Sequence, residues 1–119
     1  MEDMRERRKD RRVAVDITGE FECAGTVRTV RVVDISVGGA LLDCPDLEWP
    51  EEGRYVGLCL NLERKNVAFC ASLVRKVPPS RAAITFVNVP AALESTLARF
   101  VQDQDRKALR AHLHLRGSL

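Results

Sequence analysis

Residues 56–73 read VGLCLNLERKNVAFCASL, and this stretch decides the fold. Apolar and polar residues alternate on both sides of a polar segment at residues 63–66. A period of two is typical of β-strands with one buried face, and a short polar segment between two such strands indicates a hairpin. If Leu62 pairs with Val67 across the turn, every large apolar side chain of both strands lies on the same side.

The same register predicts the other cross-strand neighbours of the hairpin. Leu60 would face Phe69 on the apolar side, and Cys59 would face Cys70 on the opposite side. The chain has four cysteines, Cys23, Cys44, Cys59 and Cys70. They lack the close spacing of a zinc site or a disulfide framework, so we expect no bound metal and free thiols that behave mostly as small buried apolar residues.

Similar alternation on either side of the hairpin predicts four more strands. They lie at residues 13–25, 26–35, 40–44 and 82–89. The alternation changes phase in the second of these strands near Val32 and Val33, which indicates a β-bulge. Six short strands separated by turns predict an all-β, six-stranded antiparallel barrel.

From residue 91 onward the apolar residues recur with the period of a helix. The positions on this face are Leu93, Leu97, Phe100 and Val101. Because the stripe is interrupted after residue 101, we divide the chain into three parts: a basic arm at residues 1–12, the barrel with the first part of the C-terminal helix at residues 13–101, and a helical extension or tail at residues 102–119. The length allows a single domain.

The net charge of +2 is concentrated in the N-terminal arm. Residues 1–12 hold six bases and four acids, which leaves 13 bases and 13 acids in the rest of the chain. This arm would attract an anion, although a solvated tail has the same composition. The arm is too charged for a signal peptide and no apolar run is long enough to cross a bilayer, so we expect a cytoplasmic protein with no membrane insertion.

Two short motifs stand where the predicted strands begin and meet. Residues 8–12 read RKDRR, an RxxxR directly before the first strand, and residues 34–39 read DISVGG, a DxSxxG between the second and third strands. Either motif alone is weak, because arginine-rich arms and Asp-x-Ser turns are common. With their order, the six strands and the helix, they resemble the PilZ domain family, and the resemblance covers residues 7–101.

The resemblance implies a split β-barrel that is a receptor for the second messenger cyclic di-GMP. Arg8 and Arg12 would hold the guanine bases and the phosphates, which an arginine fork can bond and stack against. Asp34 would accept hydrogen bonds from the N–H groups of the opposite guanine edge, and the Ser36 hydroxyl would be a second acceptor.

Three further residues complete the site that the resemblance implies. Gly38 and Gly39 would permit positive φ and a close approach of the backbone. Arg7 and Arg11 also form an RxxxR, but we prefer the pair given above because its second arginine adjoins the first strand, as in the family. Arg7 is then an auxiliary ligand.

Other classes of function fit less well. His112 and His114 have no partner at a suggestive spacing, so we expect no catalytic residues and no enzyme. Outside the arm the charge is balanced and the strands lack stacking aromatics, which argues against nucleic acid. The hypothesis is a cyclic di-GMP receptor that acts on an unidentified protein partner. The alternative is a degenerate PilZ domain that acts as a nucleotide-independent interaction module.

Overall fold

The computed structural model describes residues 11–117, which form six strands and one helix. The strands are β1 (Val13–Cys23), β2 (Thr26–Ile35), β3 (Gly39–Asp43), β4 (Tyr55–Leu62), β5 (Lys65–Val77) and β6 (Arg81–Phe86), and the helix is α1 (Ala91–Gly117). All pairs are antiparallel in the order β1-β2-β3-β6-β5-β4, and β1 pairs with β4 to close a barrel. The predicted fold class is confirmed.

The barrel interior holds the apolar side chains of the alternating positions. Phe21, Leu42, Leu58 and Leu73 come from four different strands, and all are almost completely buried. Alternation along an antiparallel strand sends one set of side chains inward and the other to the outer wall. Each inward side chain of this size contributes about 1.5–3 kcal/mol through burial.

Helix α1 covers the barrel with the face that the sequence predicted. Leu97, Phe100 and Val101 are buried, and the helix contacts β1 and β4. Further along, Leu109 and Leu113 are exposed to solvent. Among the described residues, no helix combines the length and the apolar character that a membrane span needs.

Trp49 lies in the loop between β3 and β4 and is buried against one end of the barrel. Its ring meets that of Phe21 edge to face, with centroids 5.1 Å apart. The indole nitrogen donates a hydrogen bond of 3.0 Å to the backbone carbonyl of Ser80. Burial of an indole with its N–H satisfied lets this loop seal the core.

The predicted register of the β4–β5 hairpin is wrong by two residues. Leu62 pairs with Lys65, and Leu60 pairs with Val67. The turn consists of Glu63 and Arg64 alone, both with positive φ (50° and 68°), which is the geometry that matches the twist of two adjoining strands. Because the side-chain period is also two, this shift leaves the buried face unchanged.

The corrected register also changes the expected environment of the cysteines. Cys59 lies opposite Ala68, and Cys70 lies opposite Gly57, so the two thiols are diagonal neighbours on the outer wall. Both are exposed, Cys23 is half-buried, and only Cys44 among the four is buried. The expectation of mostly buried thiols is therefore wrong, because Cys59 and Cys70 lie on the outer wall and Cys23, although packed against the core, is only half-buried.

Two other strand features test the alternation of the sequence. The bulge predicted near Val32 is confirmed, since the β2–β3 register shifts between Val32 and Asp34. The sixth strand ends at Phe86 and not at Val89. The chain leaves the sheet there because Asn88 has a positive φ of 52°, which is incompatible with an extended strand.

The β4–β5 turn predicts a stabilising substitution. Arg64 has a φ of 68°, a conformation that costs a residue with a Cβ roughly 1–2 kcal/mol and costs glycine nothing. We expect Arg64→Gly to raise the melting temperature by a few degrees, because the entropy that glycine loses offsets only part of this gain. Arg75→Gly, within β5, is the control and should lower it. A lower melting temperature for Arg64→Gly would contradict the turn.

Candidate ligand-binding groove

A groove of about 500 Å³ opens on the outer wall of the barrel. Its lining includes Arg12, Asp34, Arg31, Arg81, Val33 and Leu41. The first four are charged, and the last two provide an apolar floor. Residues from β1, β2, β3 and β6 meet here because these strands are neighbours in the barrel, and Arg12 directly precedes β1.

Arg12 and Asp34 lie together at one end of the groove. Val13 pairs with Ile35 and Ala14 with Asp34, so the β1–β2 ladder brings the end of the first motif against the start of the second. A guanidinium nitrogen of Arg12 is 3.7 Å from Oδ1 of Asp34. The Arg12 side chain is 56% exposed and the Asp34 side chain 24%, which leaves both accessible from the groove.

The Asp34 carboxylate retains capacity to accept hydrogen bonds. Its Oδ1 atom is buried and has no hydrogen-bond partner within the described part of the chain. The 3.7 Å contact with Arg12 is short enough for charge attraction but longer than a hydrogen bond. A buried acceptor left in this state costs free energy, so Oδ1 requires a partner, which a water, an ion or a ligand can supply.

Ser36 differs from the expectation of a ligand acceptor on the surface, because it is 2% exposed. Its hydroxyl oxygen accepts hydrogen bonds from the backbone N–H groups of Gly38 (3.2 Å) and Gly39 (3.1 Å). The backbone N–H of Ser36 donates in turn to the carbonyl of Gly39 at 2.8 Å. The serine of the second motif therefore holds the shape of the turn that follows Asp34.

This role predicts a loss of stability on substitution of the serine. Ser36→Ala would remove the acceptor of two backbone N–H groups beside the core, and we expect the free energy of unfolding to fall by about 1–3 kcal/mol. Urea denaturation measures the change. Ser95→Ala, on the exposed side of α1, removes the same hydroxyl and should have little effect. Equal stability of the two variants would show that the turn does not depend on Ser36.

The two glycines of the second motif hold the turn close to β6. A Cβ at Gly39 would lie 2.2 Å from the carbonyl oxygen of Ile84, so a side chain does not fit there. The φ of Gly39 is not positive, and the expectation of a left-handed conformation at this residue is wrong. The carbonyl of Gly38 accepts hydrogen bonds from the N–H of Phe86 (2.8 Å) and from the hydroxyl of Thr85 (3.1 Å).

The first motif is only partly within the described residues. Arg7 and Arg8 lie outside them, and Arg12 lines the groove. Arg11 points elsewhere, because its Nε is 2.7 Å from a carboxylate oxygen of Asp105 on α1. Adjacent arginines of one motif thus contact two different parts of the fold, the groove and the helix.

The structure adds Arg31 and Arg81 to the groove, which the sequence reasoning missed. Arg31 carried a usable signal, because it stands between the inward Val30 and Val32 and must point to the outer wall. Arg81 carried none, since only the pairing of β3 with β6 brings it opposite Asp43.

The fold and the groove define a small β-barrel module whose outer wall carries a groove lined by charged and apolar side chains. The family model for the PilZ domain matches residues 6–103, and the chain belongs to the PilZ domain family. The match covers the whole range over which the motifs resembled that family. A comparison with curated proteins finds no match.

Solved structures share this fold at low sequence identity. A structure of YcgR from Escherichia coli in complex with c-di-GMP is similar with a TM-score of 0.79 and 21% identity, over 92% of this chain and 50% of that chain. The PilZ domain of CeSA from a cellulose-synthesizing bacterium has a TM-score of 0.66 and 18% identity, over 80% of this chain and 98% of that one. The inhibitor of motility MotI/DgrA from Bacillus subtilis has a TM-score of 0.74 and 15% identity, over 85% and 52%. The chain spans about half the length of the YcgR and MotI/DgrA chains, and the likeness is one of fold.

Proposed function

We propose that this protein is a receptor for cyclic di-GMP and that the nucleotide binds in the groove between Arg12 and Asp34. The observation that carries the proposal is the Asp34 carboxylate, with a buried oxygen that lacks a hydrogen-bond partner among the described residues and an arginine only 3.7 Å away. Asp34 and Arg12 both line one cleft, so an acceptor and a cation lie close together, as a guanine nucleotide requires. The YcgR structure in complex with c-di-GMP, which shares the fold, supports the same choice of ligand.

The chemistry of the two ends of guanine explains why both charges are needed. One edge of the base presents two acceptors, O6 and N7, which an arginine fork bonds in a bidentate manner. The other edge presents N–H donors, which a carboxylate accepts. Arg12 and Asp34 provide this complementary pair, and the apolar floor of Val33 and Leu41 can pack against a base.

Arg8 and Arg7 extend the proposed site from the arm. Arg8 precedes Arg12 by four residues, and the ligand's phosphates would draw these positive charges toward the groove. Gly38 and Gly39 shape the neighbouring turn, and Ser36 holds that turn in place. The residues that we propose to bind the nucleotide most directly are therefore Arg8, Arg12 and Asp34.

We propose that ligand binding is transmitted to a protein partner through the first motif. Arg11 stands next to the ligand arginine and forms an ion pair with Asp105, so movement of the arm changes a contact on α1. Leu109, one turn further along, lines the same cleft as Arg11 and is exposed. We propose that the protein acts in the cytoplasm as a receptor and adaptor, without catalysis.

Calorimetric titration with cyclic di-GMP tests the proposal. We expect a saturable heat with cyclic di-GMP and much weaker binding of GTP and cyclic GMP, which serve as controls of nucleotide chemistry. A ligand that binds only the native state also raises the melting temperature by mass action. Neither heat nor a melting shift at tens of micromolar cyclic di-GMP would refute the receptor and favour the nucleotide-independent interaction module.

A further inference from the structure

Three charged residues form a row across the outer wall of the barrel, three positions along β2 from the Arg12 and Asp34 end of the groove. Arg31 on β2 pairs directly with Asp43 on β3, and Asp43 pairs directly with Arg81 on β6. Both arginines also line the groove. Antiparallel pairing of three strands therefore brings two guanidinium groups to either side of one carboxylate.

We propose that Arg31 and Arg81 form a second anion subsite of the groove, which takes a phosphate of the bound nucleotide. This inference rests on the proposed function and extends it, because it assigns a charge contact to the part of the groove that neither sequence motif reaches. It also adds a requirement for ligand length: the ligand must span from Arg12 and Asp34 to this row.

The two arginines have donors to spare for an anion. Arg31 lies 3.7 Å from Asp43 and 3.9 Å from Asp16, and Arg81 lies 3.8 Å from Asp43, all longer than hydrogen bonds. Each guanidinium carries five N–H donors in a fixed fork. The Arg31 side chain is 50% exposed and that of Arg81 43%, so a phosphate can reach both.

Two carboxylates, Asp43 within the row and Asp16 on β1, contact the arginines and leave some of their N–H donors free. Asp43 is 16% exposed and accepts a hydrogen bond from the Ser80 hydroxyl, which anchors it in place. Asp16 is 84% exposed, and an exposed ion pair of this kind is weak enough for a phosphate to displace it. A dianionic ligand thus displaces the exposed Asp16, while Asp43 stays between the two arginines and holds them in place.

The separation of the two ends favours a ligand with two phosphates. Arg31 and Asp34 are three residues apart along β2, which corresponds to roughly 10 Å at the rise of a β-strand. Val33 lies between them on β2, Leu41 on β3 pairs with Asp34, and both line the groove as an apolar surface for a base or a ribose. A mononucleotide has one phosphate and fills one end, whereas a cyclic dinucleotide has a second phosphate for the other end.

Alanine substitution at each arginine tests the subsite by titration with cyclic di-GMP. We expect Arg31→Ala and Arg81→Ala each to weaken binding about tenfold, the loss typical of a charge-assisted hydrogen bond. Arg54→Ala removes the same charge from an exposed loop residue away from the groove and should change the affinity less than about twofold. Arg81→Lys keeps the charge without the fork and should fall between wild type and Arg81→Ala.

The outcomes separate this inference from the function on which it rests. If wild type binds and both alanine variants bind with the affinity of the Arg54→Ala control, the subsite is wrong and the receptor stands. If wild type itself gives no heat, both proposals fail. Melting curves without ligand check that the variants are folded. If the alanine variants melt at a lower temperature than wild type, and Arg81→Lys does not partly restore the affinity, the row contributes to stability alone and the subsite is wrong.

Discussion

Arg12→Ala is expected to weaken cyclic di-GMP binding by about ten- to a hundredfold while leaving the fold intact. The side chain is 56% exposed at the groove, so its removal takes charge-assisted bonds from the ligand, each worth roughly 1.5–3 kcal/mol, and little packing from the barrel. Calorimetric titration gives the affinity. Melting curves of the apo protein should superimpose on those of wild type, and the rise in melting temperature at saturating ligand should be lost.

Two further variants test whether Arg12 contributes to affinity as part of a shared nucleotide site. Arg8→Ala should reproduce the loss of affinity, because the RxxxR motif is expected to act from both of its ends. Asp34→Ala should also weaken binding, because it removes the acceptor for the guanine N–H groups. Arg54→Ala serves as the charge control. Binding of Arg12→Ala with the wild-type affinity would exclude this end of the groove as the nucleotide site.

Phe100→Ala is expected to lower the free energy of unfolding by about 3–5 kcal/mol. The ring is 7% exposed and lies on the face of α1 that covers the barrel, so truncation leaves a cavity and removes the apolar area that holds the helix. Against a total stability of about 5–15 kcal/mol for a domain of this size, the loss is large. Urea denaturation, read by circular dichroism, measures it.

The outer part of the helix supplies the control for this prediction. Leu109→Ala removes a side chain that is 58% exposed and should change stability by less than about 0.5 kcal/mol. Deletion of residues 108–119 should likewise cost far less than Phe100→Ala. If that deletion unfolds the domain, the last turns of the helix belong to the core and are not an extension.

Some features were predictable because they depend on local periodicity or on short motifs, both of which are visible in the sequence. The period of two identified the strands, the parity change at Val32 identified the bulge, and the helical period placed Leu97 and Phe100 in the core. The order of the two motifs identified the PilZ family, and the family model bears this out over residues 6–103.

The hairpin register shows the limit of such reasoning. Alternation is unchanged by a shift of two residues, so it predicts the buried face but does not distinguish a two-residue turn from a four-residue turn. Glu63 and Arg64 are not the glycine or asparagine that usually mark a tight turn with positive φ. The closed ladder imposes that conformation, and it also moves Cys59 away from Cys70.

By itself, the sequence determined which faces of the strands and the helix are apolar, and it placed the two motifs at the ends of the first strands. Tertiary structure alone decided which polar residues meet. The pairing of β3 with β6 joins Arg81 to Asp43 across 38 positions of the chain, and closure of the barrel buries the Ser36 hydroxyl while leaving Asp34 open to the groove. Periodicity carries information about the direction of a side chain, whereas a site depends on contacts between strands that are distant in sequence.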